Sequence, residues 1–258
     1  MDKRKVESTF TAIILCAGFG SRIKKTTGIP KTLLKINGST IIEKILNSLK
    51  KNKINNINIV TGYKGHLIRK HLSKKYKNEL KINFIKNEDP KKLGNAYSLY
   101  LGVKKLNSNI LIIDGDLIFD EKIISIIDTD QKDQILVGKG KISDIECAKT
   151  LVDKENFVKK TIDKRAISKK EKEKYRFIGE AIGIIKISKN NIKKFKKHIK
   201  IFFKSEKNLA LNWEHLINFY VKKNRLNYLK INKKYKWLEI DTPMDYKKAI
   251  NFFKNEKI

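Results

Sequence analysis

Two basic residues, Arg22 and Lys31, lie in and shortly after a glycine-containing stretch near the start of the chain. Gly18–Arg22 (GFGSR) follows an apolar run, and Lys31 comes directly after Pro30. Glycines let backbone N–H groups approach an anion closely, and a following helix N-terminus favours negative charge. The stretch is neither a dinucleotide fingerprint, since position 23 is isoleucine, nor a Walker loop, since no Gly-Lys-Ser/Thr closes it. An arginine that bridges two phosphate oxygens and a lysine point charge suit a triphosphate.

Two aspartates far apart in the sequence form the second candidate group. Asp116 lies at the carboxyl end of a predicted buried strand, where open α/β sheets bind ligands, and Asp241 follows another predicted strand. Such a pair can hold one Mg²⁺, which otherwise keeps water and phosphate oxygens as ligands. Asp114 and Glu239 are alternative ligands at the same two places. The competing interpretation is that these residues only cap strand ends.

These residues require a sheet to position them. Strands and helical segments alternate through the first 130 residues, which predicts βαβ units and a mostly parallel sheet. The later strands follow one another without obvious helices, which predicts an antiparallel extension. Predicted strands are Ala12–Leu15, Ile57–Val60, Ile82–Ile85, Ile110–Ile113, Ile135–Val137, Ala148–Val152, Val158–Ile162, Ala181–Ile187, Asn227–Ile231 and Trp237–Ile240. Predicted helices begin at Thr40, Leu67, Gly94, Ile192, Leu209 and Thr242, with Thr242 as a possible N-cap and Pro243 in the first turn.

The amino-acid composition limits the classes of protein to which this chain can belong. The 258 residues include 59 Lys+Arg and 27 Asp+Glu, a formal net charge of +32, and 40% of residues are hydrophobic, enough for a sizeable core. Two cysteines exclude a disulfide framework or a zinc site, and no apolar run reaches the roughly 18 residues that span a bilayer. We therefore expect a cytoplasmic protein without membrane insertion, and a solvated tail at Met1–Thr9.

The positive charge has two interpretations. It could attract a polyanion such as nucleic acid. However, lysines are spread from Lys3 to Lys257, which favours a general compositional bias over a selected binding surface. We expect no nucleic-acid partner, and the sequence leaves the oligomeric state open.

The motifs and their order resemble those of the sugar-phosphate nucleotidyltransferase superfamily. Ile13–Arg22 (IILCAGFGSR) and Pro30–Leu34 (PKTLL) carry the signature, with Cys16 where the family usually has alanine. Asn58–Tyr63 (NIVTGY), Gly115-Asp116 and Trp237–Asp245 (WLEIDTPMD) follow in the same order. A narrower similarity, to the small cytidylyltransferases, rests on Gly94–Leu99 (GNAYSL) and Asn212–Glu214 (NWE). Those enzymes activate phosphocholine, aminoethylphosphonate or inositol phosphate with CTP.

This resemblance implies a three-layer, Rossmann-like α/β fold in a single domain, with a nucleotide-binding half over 10–130 and an acceptor-binding half over 131–258. It also implies that Asp116 and Asp241 bind Mg²⁺. Arg22 would take the leaving pyrophosphate, and Lys31 would bridge the α-phosphate and the acceptor. Lys164 is a candidate for a second cation on the acceptor side, although a solvated lysine is the stronger interpretation.

The remaining candidates fall into two pockets. Those for the nucleotide are Ala17, Gly18, Gly20, Ser21, Gly62, Asn87, Asn95 and Ser98. Those for the acceptor are Glu180, Trp213 and Glu214. Asn95 could equally be a helix N-cap. Trp213 has the helical spacing of a core residue, because apolar residues follow it at positions 216, 217 and 220.

Three functions follow in order of preference. The first is transfer of CMP from CTP to a small phosphorylated or phosphonate acceptor, and the second is uridylyl or thymidylyl transfer to a hexose 1-phosphate. The third is a basic nucleic-acid-binding protein on a degenerate transferase fold. The intact set of Arg22, Lys31, Asp116 and Asp241 argues against degeneration.

Overall fold

The centre of the molecule is a nine-stranded sheet, described by a computed structural model that covers residues 10–23, 28–128 and 130–254. The tail predicted at Met1–Thr9 lies outside the described residues. The strands are β1 (Phe10–Cys16), β2 (Lys35–Ile36), β3 (Ser39–Thr40), β4 (Asn56–Thr61), β5 (Lys81–Lys86), β6 (Asn109–Asp114), β7 (Leu117–Phe119), β8 (Gln134–Gly138), β9 (Lys149–Val152), β10 (Val158–Ile162), β11 (Arg176–Ile187), β12 (Asn227–Lys230) and β13 (Trp237–Glu239). The α-helices are α1 (Ile41–Lys51), α2 (Gly65–Lys75), α3 (Asn95–Val103), α4 (Lys122–Ser125), α5 (Lys169–Lys174), α6 (Lys189–Phe202), α7 (Trp213–Tyr220) and α8 (Pro243–Phe252).

The sheet has a parallel part and an antiparallel part, as the strand pattern predicts. β1 pairs in parallel with β4 and β6, and β4 pairs in parallel with β5. β11 lies antiparallel to β6 and continues antiparallel to β8 and β9. The predicted α/β class, with a mostly parallel sheet and an antiparallel extension, is therefore confirmed.

Helices cover both faces of the sheet, because the strands are apolar on both sides. In β1, Ala12 and Ile14 belong to one buried cluster, whereas Ile13 and Leu15 belong to another. The alternation follows from the period of two along a strand. The first cluster continues into α1, α2 and α8, and the second into α3, α6 and α7. These two helical layers and the sheet make the three layers expected.

The last helix begins where the sequence predicts. Thr242 is its N-cap, the Thr242 hydroxyl accepts the backbone N–H of Asp245, and Pro243 occupies the first turn. The Asp245 carboxylate accepts the Thr242 backbone N–H in return, at 2.9 Å. Such a reciprocal cap fixes the direction of the chain at Thr242, and therefore also the position of Asp241 immediately before it.

The helix predicted from Leu209 begins instead at Trp213. A 3₁₀ turn occupies Glu206–Asn208, and the next residues pair with the segment before α3. The Gly94 N–H donates to Leu209 O at 2.7 Å, and the Ala96 N–H donates to Leu211 O at 3.2 Å. Backbone groups committed to a neighbouring segment cannot make intrahelical bonds, so the helix starts after that pairing.

Within the described part of the chain, no helix is long and apolar enough to cross a membrane.

Candidate active site

A cavity of about 740 Å³ opens at the carboxyl ends of β1 and β6, the edge at which open α/β sheets bind ligands. Most of the residues that the sequence singles out line it. They are Ala17, Gly18, Gly20, Arg22, Lys31, Asn95, Ser98, Asp116, Lys164, Glu180, Trp213, Glu214 and Asp241, together with the alternatives Asp114 and Glu239. The three that do not line it are Ser21, Gly62 and Asn87.

Two close backbone approaches bring the distant aspartates together. The Gly115 N–H donates to Leu15 O at 3.0 Å, and a Cβ on Gly115 would lie only 2.6 Å from that oxygen. A glycine is therefore required where the chain crosses the end of β1. Asp116 O then accepts the Ile240 N–H at 3.1 Å, as β13 pairs antiparallel with β7. This pairing places Asp241 beside Asp116.

Asp116 and Asp241 both contact Lys31, and Asp241 also contacts Arg22. Lys31 Nζ lies 2.6 Å from Asp116 Oδ2 and 2.8 Å from Asp241 Oδ1, and Arg22 contacts Asp241 Oδ2 at 2.5 Å. Burial alone would lower the pKa of Lys31, but the two carboxylates raise it well above its ordinary value. Burial would likewise raise the pKa of Asp241, yet the charges of Lys31 and Arg22 lower it. Lys31 and Asp241 are therefore both charged at neutral pH.

The carboxylates at this end also fit a divalent cation. Asp116, Glu239 and Asp241 each offer one oxygen, and these three oxygens lie within 4.8 Å of one another. Mg²⁺ prefers such hard oxygen ligands and completes its shell with water or phosphate oxygens. The donor set therefore suits the Mg²⁺ that the sequence predicts.

Glycines shape the loop on the nucleotide side of the cavity. Gly20 has a positive φ of 54°, and a Cβ there would lie 3.3 Å from Lys31 Cβ, so the lysine stem packs directly against it. Behind the loop, a Cβ on Gly62 would lie 2.7 Å from Ala17 O and 2.9 Å from Pro90 Cγ. Because Gly62 has no side chain, Ala17 of the loop and Pro90 can both pack closely against it.

The asparagine candidates support the cavity wall. Asn87 is buried, and its amide group donates to Leu93 O at 2.9 Å and to Ser98 Oγ at 3.0 Å. Both bonds fasten the segment that leads into α3. Asn95 is the first residue of α3 and so is not its N-cap, which is Gly94. Its Oδ1 accepts the Trp213 backbone N–H at 2.6 Å, and it therefore joins the starts of α3 and α7.

Trp213 satisfies both interpretations of its sequence position. It is only 3% exposed and belongs to the apolar cluster with α3 and α6, as a core residue would. It also lines the cavity, and its indole N–H donates to Asp114 Oδ2 at 3.1 Å. Burial, followed by the charges of Asp116 and Glu214, raises the pKa of Asp114 well above its ordinary value.

Glu180 and Glu214, the acid-rich end of the cavity, make no ion pair within the described part of the chain. Glu214 is 9% exposed, and among the described residues its Oε2 has no hydrogen-bond partner. Burial, and then the charge of Asp163, raises the pKa of Glu214 to about 8. Burial also raises the pKa of Glu180 to about 7, despite a hydrogen bond with the Cys147 thiol. Unpaired and partly protonated acids mark this end as one that a ligand is expected to complete.

The charge of the cavity is opposite to that of the chain. Among the described residues, ten acidic side chains and four basic ones line it, whereas the whole chain carries +32. Sequence reasoning missed several of these acids. Asp144 and Glu146 lie between β8 and β9, where no motif points to them, and Arg22 contacts Glu146 at 3.4 Å. Asp163, which accepts from Asn212 Nδ2 at 3.0 Å, was detectable only as the neighbour of Lys164.

Comparison with known proteins agrees with this geometry. Residues 12–134 match the MobA-like NTP transferase domain. The chain is 34% identical over 129 residues to the bifunctional protein GlmU of Methanococcus aeolicus, an alignment that covers 50% of this chain and 30% of that protein. It is 39% identical over 113 residues to the choline-phosphate cytidylyltransferase of Haemophilus influenzae, covering 43% of this chain and 46% of that one. The chain thus spans less than half the length of these curated relatives.

A solved structure extends the likeness to the whole fold. The CTP:phosphocholine cytidylyltransferase of Streptococcus pneumoniae superposes with a TM-score of 0.75 at 23% identity, over 95% of this chain and 99% of that one. Residues 12–134 thus carry a MobA-like NTP transferase domain, and choline-phosphate cytidylyltransferases are among the relatives of the chain.

Proposed function

We propose that this chain transfers CMP from CTP to a small acceptor that carries both a phosphate or phosphonate and an ammonium group, with release of pyrophosphate. The observation that carries the proposal is the arrangement of Lys31 and Arg22 against Asp116 and Asp241 at the carboxyl edge of the sheet. That arrangement provides positive charge for a triphosphate and oxygen ligands for a divalent cation in one place.

The reaction needs positioning more than proton transfer. An acceptor phosphate oxygen attacks the α-phosphorus of CTP in line, and the bond to the β,γ-pyrophosphate breaks. The second pKa of a phosphate monoester is about 6, so the attacking oxygen is already ionised at neutral pH and needs no general base. Holding two polyanions in contact is the main barrier, and fixed positive charges lower it.

The cations of the cavity divide this task. Arg22, at the more open side, would hold the leaving pyrophosphate, and Lys31 would bridge the α-phosphate and the acceptor phosphate. Lys164 lines the same cavity and lowers the pKa of both Glu214 and Asp241, which supports a place for it between the acceptor and the metal ligands. Asp116, Asp241 and Glu239 would hold Mg²⁺, which supplies charge neutralisation at the phosphates when bound.

The acid-rich end indicates the chemistry of the acceptor. Among the described residues, Glu214 Oε2 is buried there without a hydrogen-bond partner, and Glu180 and the indoles of Trp213 and Trp237 line the same cavity. An ammonium group would complete the unpaired carboxylate and lie favourably against an indole face. Phosphocholine, phosphoethanolamine and aminoethylphosphonate have this chemistry, whereas an inositol phosphate does not.

Pyrophosphate release tests the proposal directly. The purified protein is incubated with Mg²⁺, each of four nucleoside triphosphates, and a panel of acceptors. The panel contains phosphocholine, phosphoethanolamine, aminoethylphosphonate, inositol 1-phosphate and glucose 1-phosphate. We expect the fastest release with CTP and an ammonium-bearing acceptor.

Each other outcome removes a defined part of the proposal. Fastest release with inositol 1-phosphate removes the ammonium requirement, and fastest release with glucose 1-phosphate and UTP or dTTP favours a sugar nucleotidyltransferase. If no combination releases pyrophosphate and duplex DNA binds with a steep dependence on salt, the transferase function itself fails.

A further inference from the structure

The same carboxylate oxygens serve two purposes in this molecule. Asp116 and Asp241, which belong to the candidate metal group, already contact the Lys31 ammonium at 2.6 and 2.8 Å. Arg22 takes the second oxygen of Asp241 at 2.5 Å. Within the described part of the chain, Glu239 is the one member of the metal group without an ion pair. The free protein thus supplies its own counter-ions to the place where a divalent cation would bind.

A metal ion and the two side chains compete for these oxygens. Mg²⁺ binds carboxylate oxygen at about 2.0–2.1 Å, so a metal ion on the oxygens that face Lys31 would lie within a few ångströms of the ammonium. Two positive charges at that distance repel strongly at a partly buried position such as that of Lys31, which is 13% exposed. A divalent cation arriving alone must therefore displace Lys31 from Asp116 or accept a position weakened by its charge.

The two cations are held in a way that permits release. The Lys31 stem packs against Gly20 and is only 13% exposed, but its ammonium sits at the end of rotatable bonds. The Arg22 side chain is 43% exposed and divides its guanidinium between Asp241 and Glu146. A polyphosphate offers these groups several anionic oxygens at once, whereas the carboxylates offer them one each.

We propose that Lys31 and Arg22 act as resident counter-ions that exclude free divalent cations from Asp116 and Asp241 until a polyphosphate draws them away. This inference rests on the proposed use of a nucleoside triphosphate. Metal and nucleotide then bind with strong positive coupling, because each removes an obstacle to the other, and the coupling is reciprocal. The cation enters together with the nucleotide rather than before it.

The test is the affinity of the nucleotide-free protein for Mn²⁺ alone, read from loss of the free-ion paramagnetic resonance signal. Lys31→Met keeps the aliphatic stem against Gly20 and removes the charge. We expect this variant to bind Mn²⁺ at least about tenfold more tightly than the wild type. Lys35→Met, at an exposed neighbouring position, is the matched control and should leave the affinity unchanged.

Two further variants keep the test decisive. Adding Asp241→Asn to Lys31→Met should abolish the gain, which locates the ion on that carboxylate. Arg22→Gln changes an exposed side chain and should give a smaller gain of about threefold, even if Lys31→Met does not fold. Equal affinity in the wild type and in both single variants overturns the inference, and so does a gain that survives Asp241→Asn.

The transferase proposal is judged separately. A gain in Mn²⁺ affinity without pyrophosphate release from any nucleotide would leave the counter-ion role standing and remove the transferase. Pyrophosphate release with no gain in Mn²⁺ affinity would do the reverse.

Discussion

The two ends of one cavity treat their acids in opposite ways. At the end formed by Arg22, Lys31, Asp116 and Asp241, the two cations contact oxygens of both aspartates at 2.5–2.8 Å. At the other end, Glu214 Oε2 is buried without a hydrogen-bond partner among the described residues, and burial raises the pKa of Glu214 to about 8. Both ends contain carboxylic acids, yet the pKa of Asp241 is lowered and the pKa of Glu214 is raised.

The difference indicates what each end receives. A site that already contains cations loses nothing electrostatically when an anion replaces the carboxylates as their partner. A site that contains only acids gains when a ligand brings a cation. The cation-rich end therefore suits the phosphates of both substrates, and the acid-rich end suits a positively charged head group. The following predictions test this division.

The largest effect is expected from Asp116→Asn at the cation-rich end. The change keeps the size of the side chain but removes a charge that Lys31 and the metal group both use. We expect turnover with Mg²⁺ to fall on the order of 1,000-fold, measured as pyrophosphate release. The exposed Glu155→Gln is the control and should have full activity. Normal activity of Asp116→Asn at low Mg²⁺ would remove Asp116 from the site.

Glu214→Gln should change acceptor selectivity at the other end. Its carboxylate is the proposed partner of the ammonium group, so we expect kcat/KM for phosphocholine to fall about tenfold. The KM for CTP should change little, because the cation-rich end is intact. Glu206→Gln, on an exposed turn, serves as the control. An equal loss with phosphocholine and with inositol 1-phosphate would show that Glu214 does not recognise the ammonium.

The same residue should make the ligand-free protein less stable as the pH rises. Its folded pKa of about 8 lies above the ordinary value of 4.5, so the folded state holds a proton that the unfolded chain releases between those values. Stability therefore falls as the pH rises from about 4.5 through about 8. We expect Glu214→Gln to be more stable than the wild type by on the order of 1–2 kcal/mol at pH 8.5, and similar to it at pH 4. Urea unfolding at the two pH values measures this, and parallel curves would contradict the raised pKa.

The residues of the cation-rich end stand in motifs, whereas at the acid-rich end the sequence points to Glu180, Trp213 and Glu214 but not to the other acids of the cavity. Lys31, Asp116 and Asp241 stand in motifs with a fixed order beside apolar strands, so sequence reasoning finds each of them. Their meeting depends on Gly115 crossing β1 and on the pairing of β13 with β7, which a linear pattern does not state. Even so, strand ends at one edge of a parallel sheet are expected to converge.

Other parts of the cavity wall come from a loop and from pairing across the fold. Asp144 and Glu146 come from a loop with no motif, and Asn95 acts by holding the start of α7 through Trp213. Neither feature has a periodic signal. The α7 start at Trp213 also eluded prediction, because Leu209 and Trp213 have helical spacing while the carbonyl groups of Leu209 and Leu211 pair with the segment that begins α3. In these cases, hydrogen bonds between segments distant in the sequence determine the structure, rather than the local preference for a helix.

The smallest predicted effect concerns the charge outside the cavity. Since ten acids and four cations among the described residues line the cavity, most of the positive charge lies elsewhere in the chain, where we expect it to raise the local concentration of an anionic substrate such as CTP. Salt screens such long-range attraction, with a Debye length of about 8 Å at 0.15 M and 3 Å at 1 M, but it weakens the 2.5–2.8 Å contacts within the cavity much less. We therefore expect kcat/KM for CTP to fall about threefold between 50 and 300 mM KCl, while kcat changes little. A parallel fall in kcat and kcat/KM would place the salt effect inside the cavity, and no fall in either would make the +32 a matter of composition alone.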